Sequence, residues 1–113
     1  MVMQILKIIA GVATIVTGIV SLFWPMKVPG FTGLDPTGGR GITEIRTILG
    51  ALFIGLGAVI LYYNNPQAYI ILGITYLTMA GVRGISILVD DSAISSNIIS
   101  LVVELVFGLI LIL

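Results

Sequence analysis

Residues 47–82 read TILGALFIGLGAVILYYNNPQAYIILGITYLTMAGV, and no Asp, Glu, Lys or Arg interrupts them. Crossing about 30 Å of hydrocarbon takes about 20 apolar residues at about 1.5 Å each, so this run is too long for one transmembrane helix. Asn64-Asn65-Pro66-Gln67 divides it, because Asn tolerates left-handed backbone and Pro cannot continue a helix begun before it. The reading is two spans, about 45–63 and 68–89, with Tyr62, Tyr63 and Tyr69 marking the membrane interface around their tight turn.

Two further apolar runs flank this pair. The first is a span of about 3–23; within it Lys7 precedes an apolar run from Ile8 to Trp24 that resembles a secretory signal, but the run is longer than a signal core and no small-residue cleavage site closes it. Trp24-Pro25-Met26-Lys27 reads as an interfacial anchor with a stop. Residues 24–43, with Pro25, Pro29, Pro36 and many Gly, forbid a continuous helix and predict an ordered loop or short re-entrant cap. Asp90-Asp91-Ser92 ends the third span, and Ser92 or Ser95 is placed to cap a fourth, about 93–113. The expectation is one all-α domain over 1–113, an integral membrane four-helix bundle with both termini on one side. Lys27 and Arg40 against Lys7 place the long loop in the cytoplasm.

Composition agrees with lipid as the solvent: 58% of residues are hydrophobic, 9% are charged, and mean hydropathy is +1.24. Five Lys and Arg balance five Asp and Glu, so there is no basic surface for nucleic acid. With neither Cys nor His, the commonest zinc, haem, thiol and triad groups are missing, and no cofactor is expected.

Charges inside the hydrocarbon then stand out. Arg83 lies about two turns inside the end of the third span, and Glu104 lies near the middle of the fourth. An unpaired charge at such depth costs about 2.5–3.5 kcal/mol on insertion scales, so each needs a partner. Antiparallel helices joined at 90–95 bring the two to similar depth, and the second span brings Glu44 and Arg46 to the same half of the bilayer. One polar cluster of Glu44, Arg46, Arg83, Asp90 and Glu104 is expected. Tyr76, Arg83 and Asp90 recur at heptad spacing, and Asn97, Ser100, Glu104 and Gly108 form a polar or small stripe, so Tyr76, Asn97 and Ser100 are candidates to line a cleft. The competing reading is a static ion-pair network that fixes helix register.

Small residues recur at helix-packing spacing: Gly11, Thr14, Gly18 and Ser21 on the first span; Thr47, Ala51, Gly55 and Ala58 on the second, beside Gly50 and Gly57; Ala80 and Gly84 on the third. Close helix contact within the bundle accounts for them. Gly38-Gly39-Arg40-Gly41 lacks the Lys-Ser/Thr ending and the preceding strand of a phosphate loop and reads as ordinary flexible loop.

At Glu44-Ile45-Arg46, followed by Gly50 and Gly55-Leu56-Gly57, the chain resembles the small bacterial membrane proteins of the domain of unknown function 4345 family. The similarity continues at Arg83-Gly84-Ile85-Ser86-Ile87-Leu88-Val89-Asp90, similar to that family's Arg-x-x-Ser-x-x-x-Asp helix ending, and at Glu104-Leu105-Val106. It covers nearly the whole chain. The resemblance implies a four-helix fold in a prokaryotic cell membrane, distantly akin to DoxX-like proteins, and no particular activity. Residues 24–43 do not map onto the family pattern.

Three kinds of function remain. The favoured one is a non-catalytic module, either an accessory subunit of a larger membrane complex or a homo-oligomer docking through a small-residue face such as Gly11/Gly18. The alternative is binding or transport of a small lipophilic or anionic ligand in the Arg/Glu cleft, with Arg46 and Arg83 as anion donors. An enzyme using Glu104 as acid or base ranks last, because no spacing specifies a reaction.

Overall fold

Only 20 of the 113 residues are buried, so most of the large apolar side chains face outward. In water that surface would be untenable; in a bilayer it faces a solvent as apolar as itself, and the backbone polar groups are satisfied within helices. The computed structural model describes residues 1–113 and is all-helical. Helix α1 spans Val2–Phe23, a short α2 spans Val28–Thr32, α3 spans Gly38–Tyr63, α4 Pro66–Val89 and α5 Ser95–Ile112. The four long helices have 22, 26, 24 and 18 residues and are apolar enough to cross a membrane, which makes the chain a small polytopic membrane protein.

The α3–α4 turn follows from its four residues. Asn64 closes α3 in the left-handed region (φ 47°), Asn65 caps α4 by accepting from the Ala68 N–H at 2.9 Å, and Pro66 takes the first helical position, where its missing N–H costs nothing. Helix α4 thus starts two residues before the expected Ala68. Tyr62 and Tyr63 project outward as interfacial residues, but Tyr69 is 2% exposed and belongs to the core. Its hydroxyl bonds the Asn64 side chain, and Gln4 of α1 donates to the same Asn64 oxygen at 2.7 Å.

Residues 24–43 are more helical than their Pro and Gly content suggests. A 3-10 turn at Pro25–Lys27 leads into α2, which Gly33 ends in the left-handed conformation (φ 75°). Helix α3 begins at Gly38, well before the expected Ile45. Thr37 is extended, Gly38 makes the turn at φ 67°, and Arg40 pairs with Glu44 one helical turn on at 3.0 Å. Once Gly38 has turned the chain, no proline lies between it and the apolar stretch, so the helix of the span extends backward. Residues Ile45–Leu52 of α3 widen into a π-helix.

The bundle is two tight pairs, α1 with α3 and α4 with α5, joined through α1–α5 and α3–α4 contacts. Glycine permits both close approaches. A Cβ on Gly18 would lie 2.7 Å from the Gly50 carbonyl oxygen, and one on Gly108 would lie 2.6 Å from Leu77. The Gly11/Gly18 face is therefore consumed inside the bundle, against Ile60, Gly50 and Ile54 of α3, and is not an outer docking surface. Ala10, Ile60, Ala68, Tyr69, Leu72, Tyr76 and Leu111 form a solid core at the end of the bundle holding the α3–α4 turn. The opposite half, beneath α2, is hollow.

Candidate functional site

Helix α5 starts at Ser95 after a turn in which Asp91 takes φ 50°, and its N-cap is Ile94, with no side-chain cap. Neither Ser92 nor Ser95 caps it. Ser92 instead accepts from Asn97 Nδ2 through both its carbonyl (3.0 Å) and its hydroxyl (3.1 Å). That fixes the Asn97 amide so that its Oδ1 faces α4, where it accepts from Arg83 Nη1 at 2.8 Å. Two turns further along α5, Glu104 meets the same guanidinium from the other side. Arg83 Nε donates to Oε1 at 2.7 Å and Nη2 to Oε2 at 2.9 Å, a two-pronged pair with parallel hydrogen bonds. The Glu104 side chain is 6% exposed and that of Arg83 31%.

The remaining expected members do not join this cluster. Helix α3 turns Ile45 inward, 6% exposed, which leaves the flanking Glu44 and Arg46 facing out. Glu44 pairs with Arg40, and Arg46 enters no ion pair. Asp90 is exposed at the C-cap of α4, just past the last helical residue Val89, and although it stays on the Arg83 side it forms no ion pair with it. No three acidic side chains converge.

Beside the ion pair lies a cleft of about 430 Å³ between the two helix pairs, within the size range of small-molecule sites. Thr17 and Ser21 of α1 and Leu49 and Phe53 of α3 form one wall; Tyr76 and Met79 of α4 with Ser100, Val103 and Phe107 of α5 form the other. Gly30, Phe31 and Thr32 in and around α2 complete it. Most of its surface is apolar, with Arg83 and Glu104 as its charged groups. An outer hollow of about 680 Å³ adjoins it, sharing Thr32, Met79, Arg83 and Ser96, and is lined by Ser86, Asp90, Ser92 and Asn97. Arg83 thus stands between an outer vestibule, the more polar of the two hollows, and an apolar interior.

Of the expected lining residues, Tyr76 and Ser100 border the cleft and Asn97 the vestibule. The Tyr76 hydroxyl lies 2.5 Å from Thr14 Oγ1, which itself donates to the Ala10 carbonyl at 2.8 Å. Thr14 has one proton and has spent it, so Tyr76 is the donor between them. An edge-on contact with Phe107, centroids 5.6 Å apart, holds the Tyr76 ring. Thr17, Phe31, Phe53, Met79 and Phe107 were not singled out from the sequence. Phe107, one turn after Glu104, and Met79, one turn before Arg83, carried a usable signal; Thr17, Phe31 and Phe53 had none, since their arrival depends on how α1, α2 and α3 dock.

What the arrangement can do follows from its charge. The guanidinium is neutralised in place, both carboxylate oxygens are engaged, and the pair presents a dipole with spare N–H groups beside an apolar slot. Among curated proteins and among solved structures, nothing matches the chain. The profile of the family described as Domain of unknown function (DUF4345) matches residues 2–113, and the chain belongs to that family.

Proposed function

We propose that this protein binds a small amphipathic molecule within the membrane, using the Arg83–Glu104 cleft as its site. The observation that carries the reading is the cleft itself: about 430 Å³ of mostly apolar space placed beside a buried, hydrogen-bonded ion pair. A pair serving only to fix helix register needs no hollow next to it. The role is binding rather than catalysis, because engagement of both Glu104 oxygens by Arg83 is a poor arrangement for a general base.

The test is native mass spectrometry of the protein extracted in mild detergent from its own cell membrane, prokaryotic on the family reading. Wild type is expected to carry a small molecule that a cleft-filling Ser100→Trp variant lacks. Extraction with other subunits and no small molecule in either form would replace this reading with that of an accessory subunit.

A second reading, a homo-oligomer, is favoured by one observation. Thr47, Ala51, Gly55 and Ala58 of α3 all face out of the bundle, and a Cβ on Gly55 would meet nothing within 4 Å. Loss of a cross-linked dimer in Gly55→Leu would support it, and the two readings are compatible.

A further inference from the structure

An ion pair that is already complete sets the charge of whatever binds beside it. Arg83 has five N–H donors, of which Nε and one each on Nη1 and Nη2 are committed to Glu104 and Asn97. Two remain, one on each terminal nitrogen, and the guanidinium borders both hollows. Ser96 and Ser100 add hydroxyls to the same lining. The Tyr76 proton is held by Thr14 and is not offered. The cleft therefore supplies donors to an acceptor oxygen while its own charged pair, Arg83 and Glu104, sums to zero; the Asp90 carboxylate borders the vestibule and not the cleft.

An anion entering this cleft would meet a guanidinium already neutralised by Glu104 and would bring an uncompensated charge to a depth where charges are costly. A cation would find the Glu104 charge already neutralised by Arg83, with each carboxylate oxygen accepting one of its hydrogen bonds. Arg46, the second cation expected to attract an anion, faces away on the outside of α3. A neutral head with a carbonyl oxygen meets neither obstacle: it accepts from the free Arg83 N–H groups while its chain fills the apolar slot. Ile99 and Val103 border the slot and are also 62% and 41% exposed on the lipid-facing side of α5, which gives a bilayer-dissolved molecule a way in.

We infer that the cleft selects a neutral amphiphile from the bilayer, its head an uncharged acceptor such as an ester or ketone carbonyl, and discriminates against anionic and cationic amphiphiles of the same length. The inference rests on the ligand reading above and gives it a chemical class.

Three probes with the same hydrocarbon chain test it: monolauroylglycerol, laurate at mildly alkaline pH, and lauryltrimethylammonium. Each is titrated into the protein in nonionic detergent, and the thermal midpoint is read against Ser100→Trp, which removes shifts arising outside the cleft. Monolauroylglycerol is expected to raise the wild-type midpoint at a mole fraction at least about tenfold lower than either ion requires. In Glu104→Gln, which unmasks the Arg83 charge, laurate is expected to overtake it. Should that variant not fold, the double variant Arg83→Gln/Glu104→Gln, neutral again, is expected to keep favouring monolauroylglycerol over both ions. Laurate acting at an equal or lower mole fraction on wild type overturns the inference and leaves the ligand reading standing. If no probe separates wild type from Ser100→Trp, both fall together.

Discussion

Arg83 of α4 and Glu104 of α5 face each other through two parallel hydrogen bonds of 2.7 and 2.9 Å, in the half of the bundle that the apolar core does not fill. Removing either partner strands the other at depth. Glu104→Gln is expected to destabilise the protein by about 2 kcal/mol, below the figure for a fully buried pair because Arg83 keeps partial exposure. Arg83→Gln/Glu104→Gln should cost less than the sum of the single changes by at least about 1 kcal/mol, as measured by reversible unfolding in mild detergent. Additive losses would mean that the two groups do not interact.

Two glycines on the first two long helices predict opposite outcomes. A Cβ at Gly18 would press on the backbone of α3, 2.7 Å from the Gly50 oxygen and 2.8 Å from the Ile54 nitrogen, neither of which moves cheaply. Gly18→Ala should cost about 1–3 kcal/mol. Gly55→Ala meets open space and should leave stability unchanged or raise it by up to about 1 kcal/mol through helix propensity. The same unfolding measurement reads both.

Tyr76→Phe removes the hydroxyl that donates to Thr14, but Thr14 keeps its own proton on the Ala10 carbonyl, so no donor is orphaned. The expected loss is the net value of one hydrogen bond, about 1 kcal/mol. A much larger loss would show that the Tyr76 hydroxyl has a second partner.

The chain contains no Cys, which makes single-cysteine labelling clean. Ser86→Cys and Ser92→Cys, both lining the vestibule, should react with a membrane-impermeant maleimide added from one side of the membrane, and from the same side. Ala10→Cys, at a fully buried position, should not react in the folded protein. Protection of both serine positions from both sides would close the vestibule to water.

The four spans and the Arg83–Glu104 partnership were legible in the sequence for one reason: both depend on distance along helices. Apolar run length fixes where a helix crosses, Asn64-Asn65-Pro66-Gln67 fixes a turn, and counting residues from 90–95 puts Arg83 and Glu104 level. Rotation about a helix axis was harder to read. Glu44 and Arg46 reach the correct half of the bilayer, yet Ile45 between them takes the inward position because docking of α3 on α1 at Gly18 and Gly50 sets its face. The early start of α3 was hidden by glycines that look like a loop until Gly38 is seen to turn the chain once and Arg40–Glu44 to hold the first turns. The contribution of Phe31 to the cleft left no periodic trace, since α2 is five residues long.

The central claim is that the space beside the ion pair is occupied by a small amphipathic molecule, and photolabelling addresses it most directly. A monoacylglycerol carrying a diazirine in its chain, incorporated into membranes containing the protein, should attach to cleft residues such as Phe53, Val103 and Phe107, and unlabelled monoacylglycerol should compete it away. Labelling confined to lipid-facing positions such as Ile71 and Leu88, 61% and 84% exposed and outside the cleft, with no competition, would contradict the account and leave Arg83–Glu104 as a register lock alone.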